Sequence, residues 1–215
     1  EVVSCAWDAL WNYGNLRARC YAPIMYLKTK RAISRAPNAL YVTKAFLQSR
    51  YPSSSGQMYE CSDVDLQPSD LSVLETRIQK IQRSDSPLVL GLIGSPALRY
   101  KGIQTVLAAL EIAQSDLPHV IFRVLGPGNR TLWRKRIANH GLNNQIVFDE
   151  PLPPGEPVAT WLDNLDIYLQ PSLAEGLPRS LIEAMSRGCP ALASSCGGIP
   201  ELLDPDCLIE PGNYR

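Results

Sequence analysis

The chain has 215 residues, is 45% apolar, and balances 21 Lys plus Arg against 21 Asp plus Glu. That is enough for one large domain or for a complete domain joined to part of another. No run approaches the ~18 uninterrupted apolar residues of a membrane-spanning helix, and the first residues lack a signal-peptide pattern, so the expectation is a soluble cytoplasmic protein. Six cysteines without a CxxC pair, and two histidines at no metal-ligand spacing from them, predict reduced thiols, no metal site and no cofactor.

The sequence opens at Glu1 rather than Met and stops shortly after a Pro-Gly turn, which predicts a piece of a longer protein. The zero net charge hides an asymmetry. No acidic residue stands between Asp8 and Glu60, while Arg17, Arg19, Lys28, Lys30, Arg31, Arg35, Lys44 and Arg50 are basic. Pro23 suits a first helical position and predicts a helix from there to Arg35. The stretch ALYVT (39–43) reads as a strand and Lys44 to Arg50 as a short helix. Lys28, Arg31 and Arg35 share a face of the first helix. With Arg17 and Arg19 they would attract anionic lipid headgroups at the inner membrane face or a phosphate-linked acceptor, or form a solvated basic surface. No nucleic-acid reading module is present.

Asp70 to Arg83 reads as a further helix, with Asp70 as N-cap and Leu71, Leu74, Ile78 and Ile81 as its apolar face. The polar SDSP (84–87) marks a boundary. Residues 1–86 therefore read as the C-terminal part of one domain plus a linker, and 87–215 as a second domain truncated at its C-terminal end. Beyond the boundary, LVLGLIG (88–94), VIFRVLG (120–126), QIVF (145–148), DIYLQPS (166–172) and PALAS (190–194) read as strands. Helices at Ile103–Ala113, Arg130–His140, Val158–Asn164 and Pro178–Arg187 alternate with them. This is an α/β chain with a Rossmann-like, doubly wound parallel sheet, preceded by an incomplete domain of the same kind.

Ligands of doubly wound sheets bind at the carboxyl ends of the strands, where helix N-termini present free amides. Glu175 follows the strand DIYLQPS and a helix opens near Pro178, so amides around Gly176, Leu177, Ser180 and Leu181 suit a phosphate. Glu175 and Glu183 cannot hold a phosphate and must accept hydrogen bonds, for which sugar hydroxyls are suitable donors. A phosphate with hydroxyls on both sides describes a nucleotide-activated sugar.

The stretch from Glu175 to Leu203, EGLPRSLIEAMSRGCPALASSCGGIPELL, resembles the signature of the family 4 glycosyltransferases, retaining enzymes of the GT-B fold in which two Rossmann-like domains face a cleft. The matching residues are Glu175 and Glu183, Gly188-Cys189-Pro190, and Gly197-Gly198-Ile199-Pro200-Glu201, with RYKG (99–102) and LGPGN (125–129) extending the likeness. The resemblance implies that Glu175 holds donor hexose hydroxyls and Glu183 the ribose. It assigns Lys101 to the diphosphate, the backbone from Gly176 through Pro178 to Leu181 to the sugar and phosphate, and the segment after Phe148 to the base. Lys101 and Glu175 would be the catalytic groups. Many members carry an Arg after the glycine of the first strand; Ser95 stands there in this chain, and Arg99 is positioned to replace the charge. Glu150 also occupies a place where Gly is common. The implied reaction moves a sugar from a nucleotide-sugar donor to a saccharide or lipid-linked acceptor, as in polysaccharide or glycolipid biosynthesis. A GT-B sugar-nucleotide epimerase and a non-catalytic nucleotide-sugar-binding fragment are the competing readings.

Overall fold

A computed structural model describes residues 1–54, 56–66, 69–82, 87–117 and 119–215. Arg83 and the Ser84, Asp85 and Ser86 of the expected boundary lie outside the described residues. In the first part the elements run α1 (Ala6–Trp11), α2 (Leu16–Ser34), β1 (Asn38–Tyr41), α3 (Phe46–Arg50), β2 (Gln57–Glu60) and α4 (Leu71–Ile81). β1 and β2 pair in parallel, and Val2 bridges to the other edge of β1 through Val2 N–H to Leu40 O at 2.8 Å. Val2, Cys5, Tyr41, Leu47 and Tyr51 close a small core behind them.

Two expectations fail in this part. The helix expected from Pro23 starts at Leu16, because Asn15 Oδ1 accepts the Ala18 amide at 2.7 Å and caps it there. Pro23 lies inside α2 and leaves the Arg19 carbonyl without its helical donor. In α4 the expected cap at Asp70 forms, accepting from Ser72 N at 2.9 Å. The expected apolar face does not become a buried one: Leu71 is 77% exposed and Ile81 57%. The buried residue is Arg77, whose guanidinium donates to the carbonyls of Leu162, Leu165 and Arg187 at 3.1, 2.7 and 3.0 Å. Carbonyls at the C-terminal ends of helices attract a cation, so a charge and not a buried apolar row fastens α4 to the second part of the chain.

The rest of the chain forms β3 (Leu88–Ile93), α5 (Ile103–Ile112), β4 (Val120–Leu125), α6 (Thr131–Asn139), β5 (Ile146–Asp149), α7 (Glu156–Asp163), β6 (Ile167–Gln170), α8 (Arg179–Ser186), β7 (Ala191–Ser194) and β8 (Leu208–Ile209). The described strands from β3 onward make one parallel sheet in the order β5-β4-β3-β6-β7-β8. The chain winds outward from β3 to one edge, returns to the centre at β6 and winds to the other edge. α5 and α6 cover one face, with Leu92, Ile103, Leu107, Phe122 and Ile137 in its core. α7 and α8 cover the other, around Trp161, Leu162, Tyr168, Leu181 and Ile199. The topology reverses between β3 and β6, which opens a crevice beyond their carboxyl ends. No described helix is long and apolar enough to cross a membrane.

Candidate functional site

The loops after β3 and β6 meet in that crevice. Gly102 adopts φ +78°, and a Cβ there would lie 1.7 Å from the Pro171 carbonyl oxygen, so only glycine permits the approach. The approach carries Lys101 over Gly94 to Glu175, where Nζ stands 2.7 Å from Oε1. The same oxygen accepts from Gln170 Nε2 at 2.9 Å and Ser172 Oγ at 2.7 Å. Among the described residues no donor reaches Glu175 Oε2, and Lys101 has hydrogens left over after serving Glu175. Both side chains are largely shielded, at 18% and 10% exposure, yet open to the crevice.

A buried network sets this geometry from below. The Tyr168 hydroxyl lies 2.9 Å from Gln170 Oε1 and 2.8 Å from Ser180 Oγ. Burial, with smaller contributions from Glu175 and Glu183, raises the Tyr168 pKa and keeps the phenol neutral. Gln170 Oε1 is thus engaged inside the protein, and its amide nitrogen is left to face Glu175. Nearby, burial pushes the Cys196 thiol up to about 12, so this residue donates to Ser172 O at 3.2 Å and is no nucleophile at neutral pH.

The mouth of α8 is narrower than the sequence implies. Pro178 is its N-cap, without a side-chain cap, and among the described residues nothing accepts from the amides of Arg179 and Ser180. Leu181, expected to offer its amide, spends it on Pro178 O at 3.2 Å and buries its side chain completely. Pro178 has no N–H to give, and the Ser180 side chain turns inward to Tyr168. Gly176 was expected to bare its backbone to a ligand. A Cβ there would sit 1.8 Å from Val3 O, so its glycine serves the contact with the N-terminal segment instead. Leu177 packs against the same N-terminal core.

Glu183 stands on the second turn of α8, half-buried, where burial raises its pKa and Arg179 partly lowers it. It lines a cleft of about 100 Å³ with Gly155, Val158 and Arg187. The two glutamates share no partner; they flank Tyr168, and both raise its pKa. Arg99 is not part of the Lys101–Glu175 group and lines a separate cavity with Trp133 and Arg136.

The sequence reading gave Gln170, Ser172 and Tyr168 no role, and it quoted Glu201 only as part of a motif. The Glu201 carboxylate accepts from three successive amides at the start of α3, those of Lys44, Ala45 and Phe46 at 2.6, 3.1 and 2.8 Å. The available signal was that Ala45, at the N-cap of α3, has no side chain that can accept; Thr43 Oγ1 takes the Leu47 amide at 3.0 Å, and the amides before it need an acceptor from elsewhere. Taken together, a fixed ammonium, a carboxylate oxygen and two helix amides that have no partner among the described residues can hold an anion joined to a hydroxyl-bearing group.

Residues 87–215 match the family described as Glycosyl transferases group 1. Protein CapJ of Staphylococcus aureus is 28% identical over 215 residues, which are 98% of this chain and 52% of CapJ. Among solved structures, sucrose-phosphate synthase of Thermosynechococcus elongatus superposes with a TM-score of 0.72 at 19% identity, over 97% of this chain and 54% of that one. HepE of Anabaena, solved in complex with UDP and glucose, gives 0.66 at 20% identity over 87% of this chain and 53% of its own. The chain spans about half the length of these relatives, and the structural likenesses show the fold.

Proposed function

Because the chain belongs to the group 1 glycosyltransferases, we propose that the crevice between β3 and β6 binds a nucleoside diphosphate sugar and that the whole protein transfers the sugar, with retention, to a saccharide or lipid-linked acceptor. The observation that carries this is the Lys101–Glu175 pair, 2.7 Å apart beside the free amides of α8. Lys101 and the amides of Arg179 and Ser180 take the diphosphate, Glu175 Oε2 accepts from a donor-sugar hydroxyl, and Glu183 accepts from the ribose. The complex of HepE with UDP and glucose supports the ligand class. As the bond to the diphosphate breaks, negative charge grows on the leaving oxygen, and Lys101 with the amides stabilises it more than in the ground state. The reading assigns no metal and places the reaction in the cytoplasm.

One further element of the reading concerns α2. Its outer row exposes Leu16 (76%), Ile24 (56%) and Leu27 (64%) beside Arg17, Lys28 and Arg31, in a stretch without acidic residues. This arrangement supports contact with an anionic membrane surface. Co-sedimentation with anionic and neutral vesicles tests it, and equal binding to both removes it.

For the donor site the test is thermal stabilisation of the whole protein by UDP, ADP and GDP. A nucleoside diphosphate at 100 times its Kd adds about 2.7 kcal/mol to stability. The expected result is stabilisation by at least one of them in the wild type and its loss in Lys101→Ala. Absence of stabilisation by all three overturns the reading.

A further inference from the structure

A cavity of about 520 Å³ opens on the α5–α6 side of the same sheet end, next to the crevice but outside the Lys101–Glu175 group. Arg99, Gln104, Asn129, Trp133 and Arg136 supply its chemistry. The Trp133 indole N–H donates to Pro96 O at 2.8 Å, and the ring packs on the core behind it, so the aromatic plate is fixed before any ligand arrives. Gln104 spends its amide N–H on Arg99 O at 2.9 Å, and its carbonyl oxygen has no donor among the described residues. Asn129 is the converse: its carbonyl oxygen accepts from Thr131 N at 2.9 Å, and its NH₂ has no acceptor there.

The two guanidinium groups are the informative feature. Arg77, Arg123, Arg130 and Arg187 each pair with a carboxylate within 4.0 Å. Arg99 and Arg136 pair with none, and no described acceptor takes their side-chain hydrogens. No acidic residue occurs between Asp116 and Asp149, whereas α6 carries Arg134, Lys135 and Arg136 in succession. The cavity therefore holds two unneutralised cations beside a fixed aromatic face, one amide donor and one carbonyl acceptor.

A pyranose ring offers a C–H face to the indole and hydroxyls to both amides, and a ring carboxylate matches the planar guanidinium fork. We propose that this cavity binds a uronate-bearing saccharide, as a segment of the acceptor chain. The assignment of that saccharide as acceptor rests on the glycosyl-transfer reading above. Arg99 lies two residues before Lys101 in the same loop, which sets the cavity beside the place where sugar would be transferred.

The test is calorimetric titration of the whole protein with tetragalacturonic acid and with maltotetraose, a neutral chain of equal length. The wild type is expected to bind tetragalacturonic acid at least ten times more tightly. Arg136→Glu, on an exposed position, is expected to abolish that preference while stabilisation by UDP, ADP or GDP stays at the wild-type value. Equal affinity for the two oligosaccharides, or an unchanged preference in Arg136→Glu, overturns the proposal. Uronate binding that is lost in Arg136→Glu, in a protein that no nucleoside diphosphate stabilises, supports the cavity and strikes the donor-site reading alone.

Discussion

Replacing Glu201 by Ala removes the acceptor for three successive amides of the N-terminal part. α3 is five residues long; Thr43 Oγ1 takes the Leu47 amide at 3.0 Å, and among the described residues nothing but Glu201 takes the amides of Lys44, Ala45 and Phe46. A cap residue is worth about 0.5–2 kcal/mol, and a hydrogen bond to a charged group about 1.5–3 kcal/mol. The contacts to Lys44 and Ala45 are exposed and that to Phe46 is partly buried, so each falls toward the lower end. The sum expected is about 2–3 kcal/mol of local opening free energy, or roughly 30- to 150-fold faster amide exchange over 44–50, since 1.4 kcal/mol is tenfold. Hydrogen exchange read by mass spectrometry measures this, with β4 as an internal reference that should not change. Glu201→Gln keeps one carbonyl oxygen but turns an NH₂ toward the remaining amides, so most of the loss should persist. Protection over 44–50 altered less than about threefold in Glu201→Ala would refute the assignment of this carboxylate as their acceptor.

Three further outcomes are expected. Lys101→Ala in the whole protein should reduce turnover more than ~100-fold, as removal of a single electrostatic partner of a leaving group does elsewhere, with near-normal urea unfolding; wild-type turnover would contradict its role. Gly102→Ala places a methyl group 1.7 Å from the Pro171 oxygen at φ +78°, so unfolding in urea should show a loss above about 3 kcal/mol, from backbone strain and clash together. Glu183 has a folded-state pKa above its ordinary 4.5, so the unfolded chain gives up its proton first as pH rises. Its ionisation therefore subtracts stability from pH 4.5 upward until the folded carboxyl also ionises, and Glu183→Gln should flatten that part of the stability profile; a profile identical to wild type would oppose the assignment.

The strands β3 to β7 and their helices were legible because short apolar runs alternate with helical spacing, and a parallel sheet buries both faces of such runs. β8 was not legible: Leu208 and Ile209 take their strand geometry from pairing with β7, and two residues carry no period. β1 was read, but its partner β2 was missed, since Gln57 to Glu60 are all exposed and show no alternation. In α2 the Asn15 cap, and not Pro23, sets the helix start, and in α4 a buried cation fixes the helix while its apolar row stays exposed. At the site, the sequence singles out Lys101 and Glu175 separately, and the structure brings them 2.7 Å apart. Gln170 and Tyr168 were invisible because they act on Glu175 from beneath and look like ordinary strand residues. Gly176 was assigned to a ligand because a sequence shows where backbone is bare but not what lies against it, here Val3.

Arg77 carries one more implication. Its three carbonyl partners belong to α7, the turn after it and the end of α8, so the strap α4 is riveted to the last sheet and travels with it as one body. The Glu201 carboxylate on the amides of Lys44, Ala45 and Phe46 is a second rivet, so the N-terminal part is fastened to the sheet at two places far apart in sequence.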